Sequence, residues 1–264
     1  MHIDLSGHTA LVTGSTSGIG RAIATVLARA GAEVVVNGRD RERTENAAAA
    51  VRQATGNSGV RPVAADVATE EGADVLLAAA PEVDILVNNT GIFSPVPVFD
   101  IPDSEWRRYF EVNVLSGVRL ARLYVPRMVE RGWGRAIFIS SESSVMTPTE
   151  MVHYGMTKTA QLAVSRGMAQ SVAGTGVTVN SVLAGPTLTE GVRQFITELF
   201  GEEMPFEEAE RRFMAEGRPT SLLRRLIRPE EIANMVTYLS SEHSSATTGA
   251  ALRADGGVLP TLIP

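Results

Sequence analysis

The sequence predicts an α/β protein built on one parallel, doubly wound sheet in a single domain. Three observations carry this. Short β-rich apolar runs alternate with longer helical periodicities along all 264 residues. Those runs are apolar at nearly every position, which implies burial on both faces. The alternation is never interrupted by a linker, a repeat or a low-complexity tract, so residues 1–264 read as one unit.

The first run, Thr9–Thr13 (TALVT), meets a glycine at once and reads as a buried strand; Ile19–Ala30 follows as a helix stopped by Gly31. Glu33–Asn37 is a second strand and Arg41–Thr55 an alanine-rich helix ended by Gly56. Val60–Ala65 is a third strand, Thr69–Ala80 a helix and Ile85–Asn88 a fourth strand. Ser104 is a candidate N-cap for a helix through Phe110, and Val114–Arg131 reads as a long helix kinked or broken at Pro126. Arg135–Ser140, Val177–Val182 and Ala251–Ala254 complete the strands, with helices over Met151–Ala173 and Arg228–Ser240. Residues 190–227 are the exception, with two amphipathic stretches, Glu190–Phe200 and Phe206–Glu216, and no strand. An excursion from the carboxyl end of a strand lies where open parallel sheets bind ligands. It is read as a lid, against the alternative of a static helical insertion.

Composition narrows the function. The formal net charge is −6 and the basic residues are scattered, which argues against a nucleic-acid surface. Without cysteine there are no disulfides, thiol catalysis or cysteine-bound metals. His2, His8, His153 and His243 lack metal-ligand spacing, so no metal is expected. No stretch reads as a secretory signal or a membrane span, and a cytoplasmic location is expected.

Two motifs carry chemistry. Thr13–Gly20 (TGSTSGIG) sits at a strand-to-helix junction, where Gly14, Gly18 and Gly20 permit a tight turn and let backbone N–H groups approach a pyrophosphate. Tyr154 and Lys158 lie four residues apart, on one helical face. A lysine ammonium there is expected to favour the phenolate and lower the tyrosine pKa from its usual value near 10. Alone, such a pair is more often an amphipathic contact. With Ser141 thirteen residues before Tyr154 and the glycine loop in place, it is read as acid/base machinery. Spacing selects Ser141 over Ser140, Ser143 and Ser144. His153 points about 100° from Tyr154 on the helix and is read as a surface or interface histidine. Glu142 either lines the site or is a solvated loop carboxylate. Asp66 either meets an adenine amino group or caps the next helix.

Thr13–Gly20, Asn88-Asn89-Thr90-Gly91, Asn113, Ser141…Tyr154…Lys158, Asn180…Gly185…Thr189, Pro229–Ala233 and Asp255-Gly256-Gly257 stand in the order found in the short-chain dehydrogenase/reductase superfamily. Over nearly its whole length the chain resembles the single-domain branch that includes 3-oxoacyl-carrier-protein reductases. The resemblance implies a seven-stranded parallel Rossmann sheet, a nicotinamide cofactor and an oligomer, often a homotetramer. It implies catalytic roles for four residues. Tyr154 would be the acid/base, Ser141 would hold the substrate oxygen, Lys158 would also bind the nicotinamide ribose, and Asn113 would hold a water relaying protons to Lys158. Cofactor contacts are expected from Gly14, Ser15, Ser17, Gly18, Ile19 and Gly20, from Asp66 and Val67, from Asn89 and Gly91, and from Gly185, Thr187 and Thr189.

Asn37-Gly38-Arg39 offers no carboxylate where one would bind the adenosine ribose of NAD, while Arg39 offers a fork to a 2′-phosphate. NADP is therefore expected over NAD. The alternative is a solvated Arg39 paired with Asp40 or Glu42. Thr90 and Ala184 depart from the family's alanine and proline and are read as tuning. The expected function is NAD(P)-dependent interconversion of a ketone and a secondary alcohol on a small molecule. Its rivals are a Rossmann module that senses the cofactor with little catalysis and, within enzymes, a nucleotide-sugar epimerase or dehydratase. Phe195, Ile196, Leu199, Phe200, Phe206 and Phe213 suggest an apolar lid, half of them facing substrate and half packing the lid itself.

Overall fold

The computed structural model describes residues 2–262. Seven strands form one sheet: β1 (Thr9–Val12), β2 (Glu33–Gly38), β3 (Val60–Ala64), β4 (Ile85–Asn88), β5 (Gly134–Ser141), β6 (Val177–Ala184) and β7 (Ala251–Ala254). Their order is β3-β2-β1-β4-β5-β6-β7 and every pairing is parallel. The order reverses between β1 and β4, which opens a crevice at their carboxyl ends.

Side chains alternate across the strands, so the sheet feeds two cores, one on each face. Ala10 and Val12 of β1 pack with Ile23 and Leu27 of α1 (Gly18–Arg29), Val51 of α2 (Arg41–Thr55) and Val236 of α9 (Pro229–Leu239). Leu11 faces the opposite core. There Leu76 of α3 (Glu70–Ala79), Tyr124 of α5 (Ser116–Arg131) and Ala169 of α6 (Val152–Ser171) are buried. No helix among the described residues is long and apolar enough to cross a membrane.

Two helical expectations need correction. Ser104 is not a cap: α4 (Asp103–Phe110) starts two residues earlier than that cap implies, after extended Pro102, which leaves Ser104 inside the first turn. Nor does Pro126 break its helix. α5 runs through it, held by buried Tyr124, Val125 and Met128, so packing outweighs the missing donor. The irregularity lies earlier, in a π turn over Glu111–Leu115 that joins α4 to α5 and contains Asn113. Such turns displace carbonyls from the α ladder.

The excursion after β6 folds as α7 (Glu190–Phe200) and α8 (Phe206–Gly217). Ile196, Ala209, Met214 and Leu226 form its own small core. An isolated parallel bridge between Thr187 and Ile227 closes its base.

Candidate active site

The glycine turn is built by neighbours as much as by its own residues. Gly14 and Gly18 have φ of 59° and 53°, a left-handed conformation that glycine adopts without a Cβ clash. At Gly20 a Cβ would lie 2.4 Å from the Gly14 carbonyl oxygen and 2.5 Å from Asn89 Nδ2. Thr13 Oγ1 accepts from the backbone N–H groups of Asn89 and Thr90, and Asn89 Nδ2 donates to the carbonyls of Thr13 and Gly14. Asn89 thus ties the β4 end to the turn. Ser15, expected at the cofactor, is instead buried: its N–H donates to the Asn37 carbonyl, and its hydroxyl donates to Val12 O and accepts from Asn37 N. Those bonds spend its polar groups on holding the turn to β2. Ser17 takes the N-cap position of α1 without a side-chain capping bond, and Gly18 and Ile19 open the helix.

At the β2 end, a Cβ on Gly38 would meet Thr16 Cγ2 at 2.4 Å and Thr44 Oγ1 at 2.8 Å. A side chain at this position would have to displace both threonines. Arg39 is exposed and, among the described residues, forms no ion pair with Asp40 or Glu42; Asp40 instead caps α2 through Arg43 N. Asp66 does not cap α3. Thr69 does, while the Asp66 carboxylate accepts from Ala68 N. Val67 buries its side chain, and its carbonyl accepts from Arg119.

The carboxyl ends of β5 and β6, the start of α6 and the lid enclose a cleft of about 430 Å³. Ser141, Tyr154 and Lys158 line it together with Ile19, Asn89, Gly91, Gly185, Thr187 and Thr189. The Ser141 hydroxyl bonds Glu142 Oε2 at 2.5 Å and accepts from Ser143 N at 3.1 Å. Two neighbouring serines are spent elsewhere: Ser140 Oγ donates to the Lys158 carbonyl and Ser144 Oγ to the Ser141 carbonyl, while Ser143 also lines the cleft. Lys158 Nζ donates to Ile139 O at 2.9 Å and to Gln161 Oε1 at 3.3 Å, and lies 5.6 Å from the centre of the Tyr154 ring.

Asn113 is buried and fully engaged. Its Oδ1 accepts from Ile92 N, and its Nδ2 donates to Ile92 O and Thr157 Oγ1. Its carbonyl accepts from Gln161 Nε2 at 2.6 Å. The Gln161 side chain thus connects the Asn113 carbonyl to Lys158 directly.

Electrostatics depart from the sequence expectation too. Burial pushes the Tyr154 phenol above its ordinary value, and the Glu142 charge adds to this, with the Ser141 hydroxyl acting the other way. Burial also pulls Lys158 down, to about 8. In the protein alone desolvation outweighs the help that Lys158 was expected to give Tyr154. Burial raises Glu142 as well, against the Ser141 hydroxyl and Arg218.

Glu142 is therefore not a solvated carboxylate: it is 5% exposed and lines the cleft, with Arg218 Nε 3.6 Å from its Oε1. His153 is not a surface residue: it is buried against Tyr109 and Trp106, and neither ring nitrogen is hydrogen-bonded to any of the described residues. Desolvation holds its pKa below the ordinary imidazole value. Of the six apolar lid residues, Phe195, Leu199 and Phe213 line the cleft while Ile196, Phe200 and Phe206 pack the lid. Phe93 stands on the opposite side, its ring 6.0 Å from that of Tyr154.

Sequence reasoning missed Gln161 and Arg218, which carry no motif. It also passed over a plain signal: Lys158 is the only lysine in the chain.

A Rossmann sheet with a glycine turn at its switch point and a Ser/Tyr/Lys cleft beside it defines a nicotinamide-dependent oxidoreductase. The family model described as enoyl-(acyl carrier protein) reductase matches residues 14–259. An uncharacterized oxidoreductase of Bacillus subtilis, YvaG, is 55% identical over 260 residues, 98% of each chain. D-beta-hydroxybutyrate dehydrogenase of Cupriavidus necator is 33% identical over 96% of this chain and 98% of its own. The crystal structure of L-sorbose reductase from Gluconobacter frateurii, complexed with NADPH and L-sorbose, superposes with a TM-score of 0.92 at 34% identity, over 99% of this chain and all of the other. The chain belongs to the short-chain dehydrogenase/reductase superfamily.

Proposed function

We propose that this enzyme interconverts a ketone and a secondary alcohol, with NADP preferred over NAD and Tyr154 exchanging the proton. The observation that carries the reading is the convergence of Ser141, Tyr154 and the chain's one lysine in a single cleft beside the glycine turn. The residues present fit a dinucleotide. The turn leaves no room for a Cβ at Gly20, where backbone must approach a pyrophosphate, and Arg39, which forms no ion pair among the described residues, follows a glycine where NAD would call for a carboxylate. Gly14, Ser17, Gly18, Ile19 and Gly20 would hold the pyrophosphate, Arg39 the 2′-phosphate, and Asp66 and Val67 the adenine. Asn89, Gly91, Gly185, Thr187, Thr189 and Lys158 would hold the nicotinamide side. The nicotinamide, when bound, supplies or takes the hydride.

The protein's own part is proton transfer and orientation. In reduction Tyr154, kept protonated by burial, gives its proton to the carbonyl oxygen; in oxidation its phenolate takes the alcohol proton. Ser141 holds the same oxygen. Lys158, close to the Tyr154 ring, stabilises the phenolate left behind, and Asn113 and Gln161 fix Lys158. Phe93, Phe195, Leu199 and Phe213 favour a substrate with an apolar face. A homo-oligomer through α5 and α6 completes the reading.

The test follows NADPH absorbance with a panel of 3-oxobutyrate, L-sorbose and aromatic ketones, wild type against Tyr154→Phe. The expected result is turnover by wild type and a loss of at least about 100-fold in the variant, with NADPH still bound by both. Undiminished turnover in Tyr154→Phe would overturn the assignment.

A further inference from the structure

The proton inventory around Ser141 leads beyond the four expected catalytic groups. A serine hydroxyl has one proton and two lone pairs. One lone pair of Ser141 accepts from Ser143 N. The proton and the remaining lone pair must then serve both Glu142 Oε2, 2.5 Å away, and the substrate oxygen. An ionised carboxylate only accepts. With Glu142 ionised, the Ser141 proton points at Glu142 and a lone pair faces the substrate oxygen. That arrangement repels the oxygen as it gains negative charge. With Glu142 protonated, Glu142 donates to Ser141 and the Ser141 proton is released toward the substrate.

We propose that Glu142 is the proton-carrying partner of Ser141 in the reacting complex, so that Glu142 donates to Ser141 and Ser141 donates to the substrate oxygen. Glu142 is a positioning residue in this scheme: it acts through Ser141 and keeps its own proton throughout. The proposal rests on the reading of Ser141 and Tyr154 given above. Because reduction and oxidation share one transition state, the requirement holds in both directions.

Three observations support it. Glu142 is buried, so its charged form loses hydration. Its one nearby guanidinium, Arg218, stands 3.6 Å away without a hydrogen bond to it and spends Nη1 on the Gly217 carbonyl. Tyr154 must itself become an anion when it gives up its proton, and an ionised Glu142 raises the cost of that step. The other titratable groups of the cleft are Tyr154 and Lys158 from α6 and Glu150 from the preceding loop. Lys158 favours an ionised Glu142 and Glu150 opposes it, and neither is hydrogen-bonded to it.

Two measurements test this. In the infrared spectrum of the wild-type protein at pH 7, a protonated carboxyl band absent from Glu142→Gln is expected, and it should vanish as pH rises. In turnover with NADPH and an active panel ketone, the wild-type rate should fall about tenfold per pH unit above the Glu142 pKa. Glu142→Gln cannot ionise and should lose that limb. Arg218→Gln should move the limb to higher pH, since it removes the guanidinium nearest the carboxylate, which favours the charged form. Absence of the band at pH 7, or the same limb in Glu142→Gln, would overturn the proposal. The infrared result needs no turnover, so it stands apart from the Tyr154→Phe test: retained activity there sinks the catalytic reading, not the protonation of Glu142.

Discussion

Lys158 offers the sharpest test of the site's electrostatics. The residue is 4% exposed, and its ammonium has no carboxylate within 4.0 Å among the described residues; its partners are the Ile139 carbonyl and the Gln161 amide oxygen. Burial lowers its pKa from the ordinary 10.5 to about 8. At 1.36 kcal/mol per pKa unit, keeping the charge buried costs about 3 kcal/mol. The unfolded chain holds this proton up to about pH 10, while the folded protein releases it from about pH 8. The destabilisation is therefore complete below pH 8 and fades as pH rises toward 10.5. Lys158→Met removes the charge and also the two hydrogen bonds, each worth about 1 kcal/mol. The variant should be about 1 kcal/mol more stable than wild type at pH 7 and less stable near pH 10, where the lost bonds outweigh what remains of the burial cost. Urea midpoints at the two pH values read this crossing. The pKa itself is directly measurable: lysine labelled with carbon-13 gives one side-chain signal, because there is one lysine. A signal titrating near 10.5 in the protein without cofactor, or a variant less stable at both pH values, would refute the reasoning.

Gln161→Glu places a carboxylate 3.3 Å from the ammonium and should move the same carbon-13 titration to higher pH; an unmoved signal would show that Gln161 does not contact Lys158 in solution. Gly20→Ala forces a methyl into the Gly14 carbonyl and should cost about 1–3 kcal/mol by urea unfolding and abolish NADPH binding. Gly191→Ala, with open space around it, should stay within about 0.5 kcal/mol of wild type. Arg39→Ala should weaken NADPH about 10- to 100-fold and leave NADH nearly unchanged, as dissociation constants; equal losses for both would remove Arg39 from phosphate recognition.

What could be read from the sequence was what local chemistry decides. The bounds of α2 and β4 are those expected, because a glycine stop and a short apolar run are local signals. β6 extends two residues further than expected, to Ala184, because Leu183 and Ala184 are paired by β5 on one side and β7 on the other. Such partners lie far away in the chain. The π turn at Asn113 has no residue signature, so a helix start at Val114 was the natural reading.

The charges of the site were the least legible part, for the same reason. Whether Glu142 is solvated depends on Arg218 at the end of a helix 76 residues onward, and whether His153 is exposed depends on Tyr109 and Trp106. A four-residue spacing places Lys158 beside Tyr154 but says nothing of how dry their surroundings are. Yet dryness decides which way both groups shift. One compositional fact pointed the right way: every other non-histidine cation is arginine, so the single lysine marks a position where guanidinium does not serve. Arginine stays charged at any pH a protein meets, whereas an amine can give up its proton under burial. A site whose lysine titrates near 8 has use for that difference, and the carbon-13 titration is the measurement that separates this functional account from a bias in composition.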